Sequence, residues 1–127
     1  MVKKREPFLE GRLFEEYAWP TIRRNFPRRD GWVRLEQLRL PSGLTPDYVL
    51  WNGHTDQAIV IEVKDRARIT EPDVRKIMTY MAEVADLTEA GDVKGFVTVA
   101  LDTQVENRVR RLARRNEITI RRLWWRR

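Results

Sequence analysis

At 127 residues, with 42% apolar and 35% charged side chains, the chain is one globular domain's worth. The absence of cysteine excludes a disulfide scaffold, a thiol nucleophile and Cys-ligated zinc, and the single histidine, His54, excludes a His-rich metal site. The net charge of +6 is uneven: Arg108 to Arg127 holds nine Arg and one acid, so the rest is nearly neutral and the basic end suggests a polyanion partner.

The elements follow in chain order. Pro7 to Asn25 reads as a helix, with Leu9, Leu13, Phe14, Tyr17, Ala18 and Ile22 at helical spacing and Pro20 as a kink. Asn25 to Gly31 is a loop, Trp32 to Leu40 a strand and Pro41-Ser42-Gly43 a turn. Pro46 to Trp51 is a short strand, and Asn52-Gly53 is a hairpin signal before the β-branched strand Gln57 to Lys64. Thr70 caps a helix running to about Leu87, with Pro72 and Asp73 in its first turn. Lys94 to Leu101 is a strand, and Thr103 to Glu106 has the spacing of a capping box opening a helix through Val109 and Leu112. Ile118 to Leu123 is the last strand. The order α-β-β-β-α-β-α-β predicts an α/β domain spanning 1–127, with a central mixed sheet flanked by helices. No apolar run reaches the ~20 residues of a membrane span, and the basic start lacks an apolar segment after it, so the expected location is cytoplasmic.

Chemistry concentrates in Pro46-Asp47 and, fifteen residues after Asp47, Glu62-Val63-Lys64. Side chains alternate along a strand, so Glu62 and Lys64 share a face. Folding at Asn52-Gly53 returns the chain so that Asp47 falls near Glu62. Two carboxylates about 4 Å apart repel by ~4 kcal/mol at an effective dielectric near 20. Lys64 offsets part of that, and a hard divalent cation would offset more. The plain alternative is a solvated same-face pair worth under ~1 kcal/mol, with Asp47 a polar residue after a proline.

These residues, in this order of elements, resemble the PD-(D/E)XK nuclease superfamily, the restriction-endonuclease-like fold, over residues 8 to 123. The resemblance implies that Asp47 and Glu62 are ligands of Mg2+, for which Mn2+ would substitute, with the Val63 carbonyl a further ligand. Lys64 is then the catalytic lysine, and a water activated by the metal attacks a phosphodiester. Many members carry a first-helix glutamate. Glu10 is the first candidate, because it shares a face with Leu13, Phe14 and Tyr17; Glu16 is the second. Within the superfamily the chain is most similar to archaeal-type Holliday junction resolvases and their phage relatives, which implies a homodimer cutting branched DNA in recombination and repair. It departs from them in the long Arg23 to Arg29 stretch and in Lys76-Ile77-Met78-Thr79-Tyr80, where some exonuclease-like branches have Gln-x-x-x-Tyr.

Arg23, Arg24, Arg28, Arg29, Arg66 and Arg68 are the candidate DNA-backbone contacts. Arg108, Arg110, Arg111, Arg114 and Arg115 spread around the last helix, so part of that set is a solvated face. Trp124 and Trp125 cap the core, stack on bases or form a subunit contact. Tyr80 is expected in the core. The rival functions are a restriction- or repair-type nuclease of the same superfamily and a non-catalytic DNA-binding module that keeps the fold.

Overall fold

The computed structural model describes residues 7–36 and 38–124, with side chains from residue 13 onward. Trp125 therefore lies outside the described residues. α1 (Pro7–Asn25) is followed by a single 3-10 turn (Arg28–Asp30) and the strands β1 (Trp32–Arg34), β2 (Tyr48–Asn52) and β3 (Gln57–Lys64). Then come β4 (Arg68–Ile69), α2 (Glu71–Thr88), β5 (Asp92–Ala100), β6 (Gln104–Val105), α3 (Asn107–Arg115) and β7 (Ile118–Leu123). Five strands form one mixed sheet in the order β1-β2-β3-β5-β7. β2 runs antiparallel to both of its neighbours, β1 and β3, whereas β5 runs parallel to β3 and β7 parallel to β5. The expected α-β-β-β-α-β-α-β order and central mixed sheet are present, with the two-residue strands β4 and β6 added as a separate parallel pair.

The sheet is covered on both faces, which is why β3 reads as a continuous apolar run. On one face α1 lays Phe14, Ala18 and Ile22 against Tyr48, Leu50, Ile59, Ile61 and Val63. This corrects the expected inward stripe: Leu13 and Tyr17 are exposed, because the buried positions recur every fourth residue from Phe14. On the other face α2 places Tyr80 and Val84 against Val49, Ala58 and Val60. α3 joins that layer through Val109 and Ala113, which pack with Val97, Val99 and Ile118. Gly95 permits the close approach of α2, since a Cβ there would stand 2.9 Å from both Ile77 Cγ2 and Met81 Sδ.

Three further expectations are corrected. The strand from Trp32 ends at Arg34 rather than Leu40, because after one more bond, from the Leu35 N–H to the Val49 carbonyl, the chain leaves β2 and packs Leu38 and Leu40 in the cluster of Tyr80 and Val84. The β2–β3 turn has four residues, Gly53 to Asp56, not the tight Asn-Gly form. The Asn52 Oδ1 accepts the His54 and Thr55 N–H groups and shapes it. Thr103 is not a helix cap. Its hydroxyl donates to the Arg66 carbonyl at 2.8 Å, Gln104 and Val105 pair with Arg68 and Ile69, and α3 begins only after Glu106.

Candidate active site

β2 pairs with β3 so that Tyr48 opposes Ile61. Asp47, one residue before β2, therefore comes opposite Glu62. The two residues hold each other through the backbone. The Asp47 N–H donates to Glu62 Oε1 at 3.0 Å, and the Val63 N–H donates to Asp47 Oδ2 at 2.8 Å. Lys64, two residues on and so on the same face as Glu62, puts its Nζ 3.5 Å from Glu62 Oε2. Asp47, Glu62 and Lys64 thus converge at the C-terminal end of β3.

This cluster is not a solvated pair. Glu62 is 4% exposed. Burial, then the adjacent Asp47 charge, push its carboxyl up to about 7, against the lowering effects of the Asp47 N–H and of Lys64 and Lys76. Burial likewise raises Asp47, countered first by the Val63 N–H and then by Lys64. Removing a carboxylate from water penalises its ionised form, and a second carboxylate alongside adds to the penalty. Each acid uses one oxygen on a backbone N–H; the second Glu62 oxygen faces Lys64, so a cation bound there would share it with that ammonium. Among the described residues no group of three or more His, Cys, Asp or Glu side chains is placed to hold a metal. Two carboxylates fit Mg2+ nonetheless, since that ion usually binds through one or two carboxylates and keeps several waters.

Other predicted residues divide by position. α1 brings its N-terminal half toward this end of the sheet, because the Tyr48 hydroxyl donates to the Glu15 carbonyl at 2.9 Å. Glu10 lies in the first turns of that helix, where side chains are outside the described residues; Glu16 is exposed. Arg66 and Arg68 leave β3 at the carboxylate end. Arg66 Nη1 is held 2.9 Å from Asp73 Oδ1, while Asp73 Oδ2 accepts the Thr70 N–H and hydroxyl in the α2 capping box. Arg23, Arg24, Arg28 and Arg29 do not join them. They are exposed at the opposite end, where the Asp30 carbonyl accepts from the Asn52 side chain. Five residues of β2 separate Asn52 from Asp47, about 17 Å at a strand's rise. The α3 arginines are all exposed, as is Trp124 at 61%.

Two residues carry more than the sequence reading gave them. Asp73 fixes Arg66, a role signalled only by its spacing from Thr70. Lys76 acts electrostatically on both acids. Its signal is the four-residue spacing to Tyr80, which is buried as expected.

No family model matches the chain, and no curated protein matches it. Solved structures do. A repair endonuclease from Pyrococcus abyssi superposes with a TM-score of 0.60 at 14% identity, covering 98% of this chain and 50% of that one. EndoMS in complex with double-stranded DNA gives 0.58 at 18% identity, covering 86% of this chain and 44% of that one. An XisH family protein from Nostoc punctiforme gives 0.52 at 14% identity, covering 87% of this chain and 90% of that one. The chain spans about half the length of the two endonuclease chains. Its five-stranded mixed sheet between helices is the restriction-endonuclease-like fold.

Proposed function

We propose that the chain is a metal-dependent endodeoxyribonuclease. One observation carries this reading: the buried Glu62, the half-buried Asp47 and the Lys64 ammonium meet at one end of the sheet, and the two acids are locked by reciprocal bonds to the backbone of each other's strand. The likeness in fold to two endonucleases supports it. Asp47 and Glu62, with the Val63 carbonyl, would hold Mg2+, and Mn2+ would substitute. Such a cation polarises the phosphodiester and lowers the pKa of water beside it. Lys64 donates to the attacking water or to the phosphate oxygen that gains charge, and the Val63 N–H keeps Asp47 from turning away. Glu10 is the proposed first-helix acid. Arg66, fixed by Asp73, and Arg68 take flanking phosphates, and Arg23, Arg24, Arg28 and Arg29 grip a more distant stretch of backbone.

The proposed substrate is branched DNA, cut by a homodimer whose twofold axis places identical sites on two strands. A repair-type nuclease acting on duplex DNA is the second reading, favoured by the structural likeness to a repair endonuclease and to EndoMS in its duplex complex. Cleavage of a labelled four-way junction, fork, duplex and single strand, with Mg2+ and with EDTA, separates them, using Lys64→Ala as the blank. Metal-dependent cutting of the junction alone establishes the first reading, and cutting of duplex the second. Tight binding without cutting in any metal leaves a DNA-binding module.

A further inference from the structure

α2 covers the face of the sheet from which Asp47, Glu62 and Lys64 project. Its Tyr80 is 2% exposed and packs with Val49 and Val60. Asp47 lies two residues from Val49 and Glu62 two from Val60, both toward the carboxylate end, a displacement of about 6.7 Å along the strands. Lys76 lies one turn from Tyr80, about 5–6 Å along the helix. It is displaced toward the α2 N-terminus, which the Arg66–Asp73 pair fixes at that same end. The register therefore places Lys76, an exposed residue, one turn nearer the carboxylate end than Tyr80 is, on the same side of α2. Its Nζ is 5.7 Å from the centre of the Tyr80 ring, which holds the long side chain along the helix. The electrostatics agree, since Lys76 favours the ionised form of both Asp47 and Glu62.

We propose that Lys76 is a second ammonium of the active site, which binds a phosphate of the DNA beside the one attacked and competes electrostatically with the metal for the carboxylate pair. The inference rests on the nuclease reading and extends it. A carboxylate pair beside two lysines meets a single divalent cation with its charge already partly offset. The site then binds the metal weakly alone and more tightly once a DNA phosphate has engaged Lys76. Substrate and cation thereby become mutually dependent.

The test uses the full chain, with Lys76→Gln and Lys76→Arg shown to fold by their melting curves. Free Mn2+ binding is followed by electron paramagnetic resonance. DNA binding is followed by anisotropy in Ca2+ over a range of salt, and single-turnover cleavage is followed in Mg2+. Lys76→Gln should bind Mn2+ about tenfold more tightly, because a nearby positive charge is gone. Its log–log salt dependence of DNA binding should be shallower by about 1, and its cleavage at least about tenfold slower. Lys76→Arg should restore wild-type Mn2+ affinity. If either the Mn2+ affinity or the salt dependence of Lys76→Gln is unchanged, while the wild type cuts and Asp47→Asn does not, the role of Lys76 is refuted and the nuclease reading stands. If the wild type neither binds Mn2+ nor cuts DNA, the nuclease reading fails and the inference falls with it.

Discussion

Replacing Glu62 by Gln should stabilise the metal-free protein while removing its activity. The carboxyl is raised from 4.5 to about 7 by burial and by Asp47. At about 1.4 kcal/mol for each pH unit, keeping Glu62 ionised costs the fold about 3 kcal/mol. The sign follows from proton linkage. Between pH 4.5 and 7 the folded chain holds a proton that the unfolded chain has lost, so stability falls as pH rises through this window. Below the window both states are protonated and the penalty vanishes; above it the penalty is complete. Gln keeps an oxygen for the Asp47 N–H and carries no charge. Thermal melts in EDTA should show Glu62→Gln about 10 °C above the wild type at pH 8, with the two converging at pH 4.5. An apo melting temperature flat from pH 5 to 8, or a Gln variant that melts below the wild type at pH 8, would refute the burial argument.

Mg2+ or Ca2+ should raise the wild-type melting temperature at pH 8 and much less at pH 5, and the shift should disappear in Asp47→Asn, as read by calorimetry. Lys64→Ala should lower single-turnover cleavage by at least about 100-fold while DNA affinity in Ca2+ stays within several-fold of wild type. Asp73→Ala should destabilise by about 1–2 kcal/mol in urea, since it opens the α2 capping box. Mutating Arg66 and Arg68 together to Ala should reduce the salt dependence of DNA binding by about 2, whereas the four arginines at the far end should leave the cleavage step itself unchanged.

Much of this frame was legible because several elements carry strong local signals. The bounds of α1, β3 and β7 match their sequence patterns, and the return of the chain after Asn52 brings Asp47 near Glu62 as expected. The four-residue turn sets the register, since a two-residue turn at Asn52-Gly53 would pair Asp47 with Ala58 instead of Glu62. The failures lie where tertiary contacts override local pattern. Leu38 and Leu40 alternate like a strand, yet past the Leu35 bond to Val49 they pack as loop side chains in one cluster with Tyr80 and Val84. Thr103 to Glu106 has capping-box spacing, but its backbone is better satisfied by pairing with Arg68 and Ile69. Lys76 and Asp73 acquire meaning only when α2 is laid on the sheet, and helical periodicity alone does not state which strand residues it covers.

The site's energetics also bear on the choice between a structural and a functional origin for the charges. A solvated Glu62–Lys64 pair would be nearly neutral for stability. Here Glu62 is buried and Lys64 is mostly covered, with 14% of its side chain exposed. Buried ion pairs are often no better for stability than apolar residues of the same volume. Adding a second acid, raised rather than lowered in pKa, makes the cluster worse than a pair. The surrounding layers are Val, Ile and Ala on both sides, so an apolar end to β3 would pack against the same neighbours. The backbone bonds from Asp47 and Val63 hold the acids where their repulsion is greatest instead of letting them turn to solvent. A fold that fixes two like charges side by side loses stability in the free state, and a bound cation would recover it. That trade is the one the proposed metal-dependent nuclease would make.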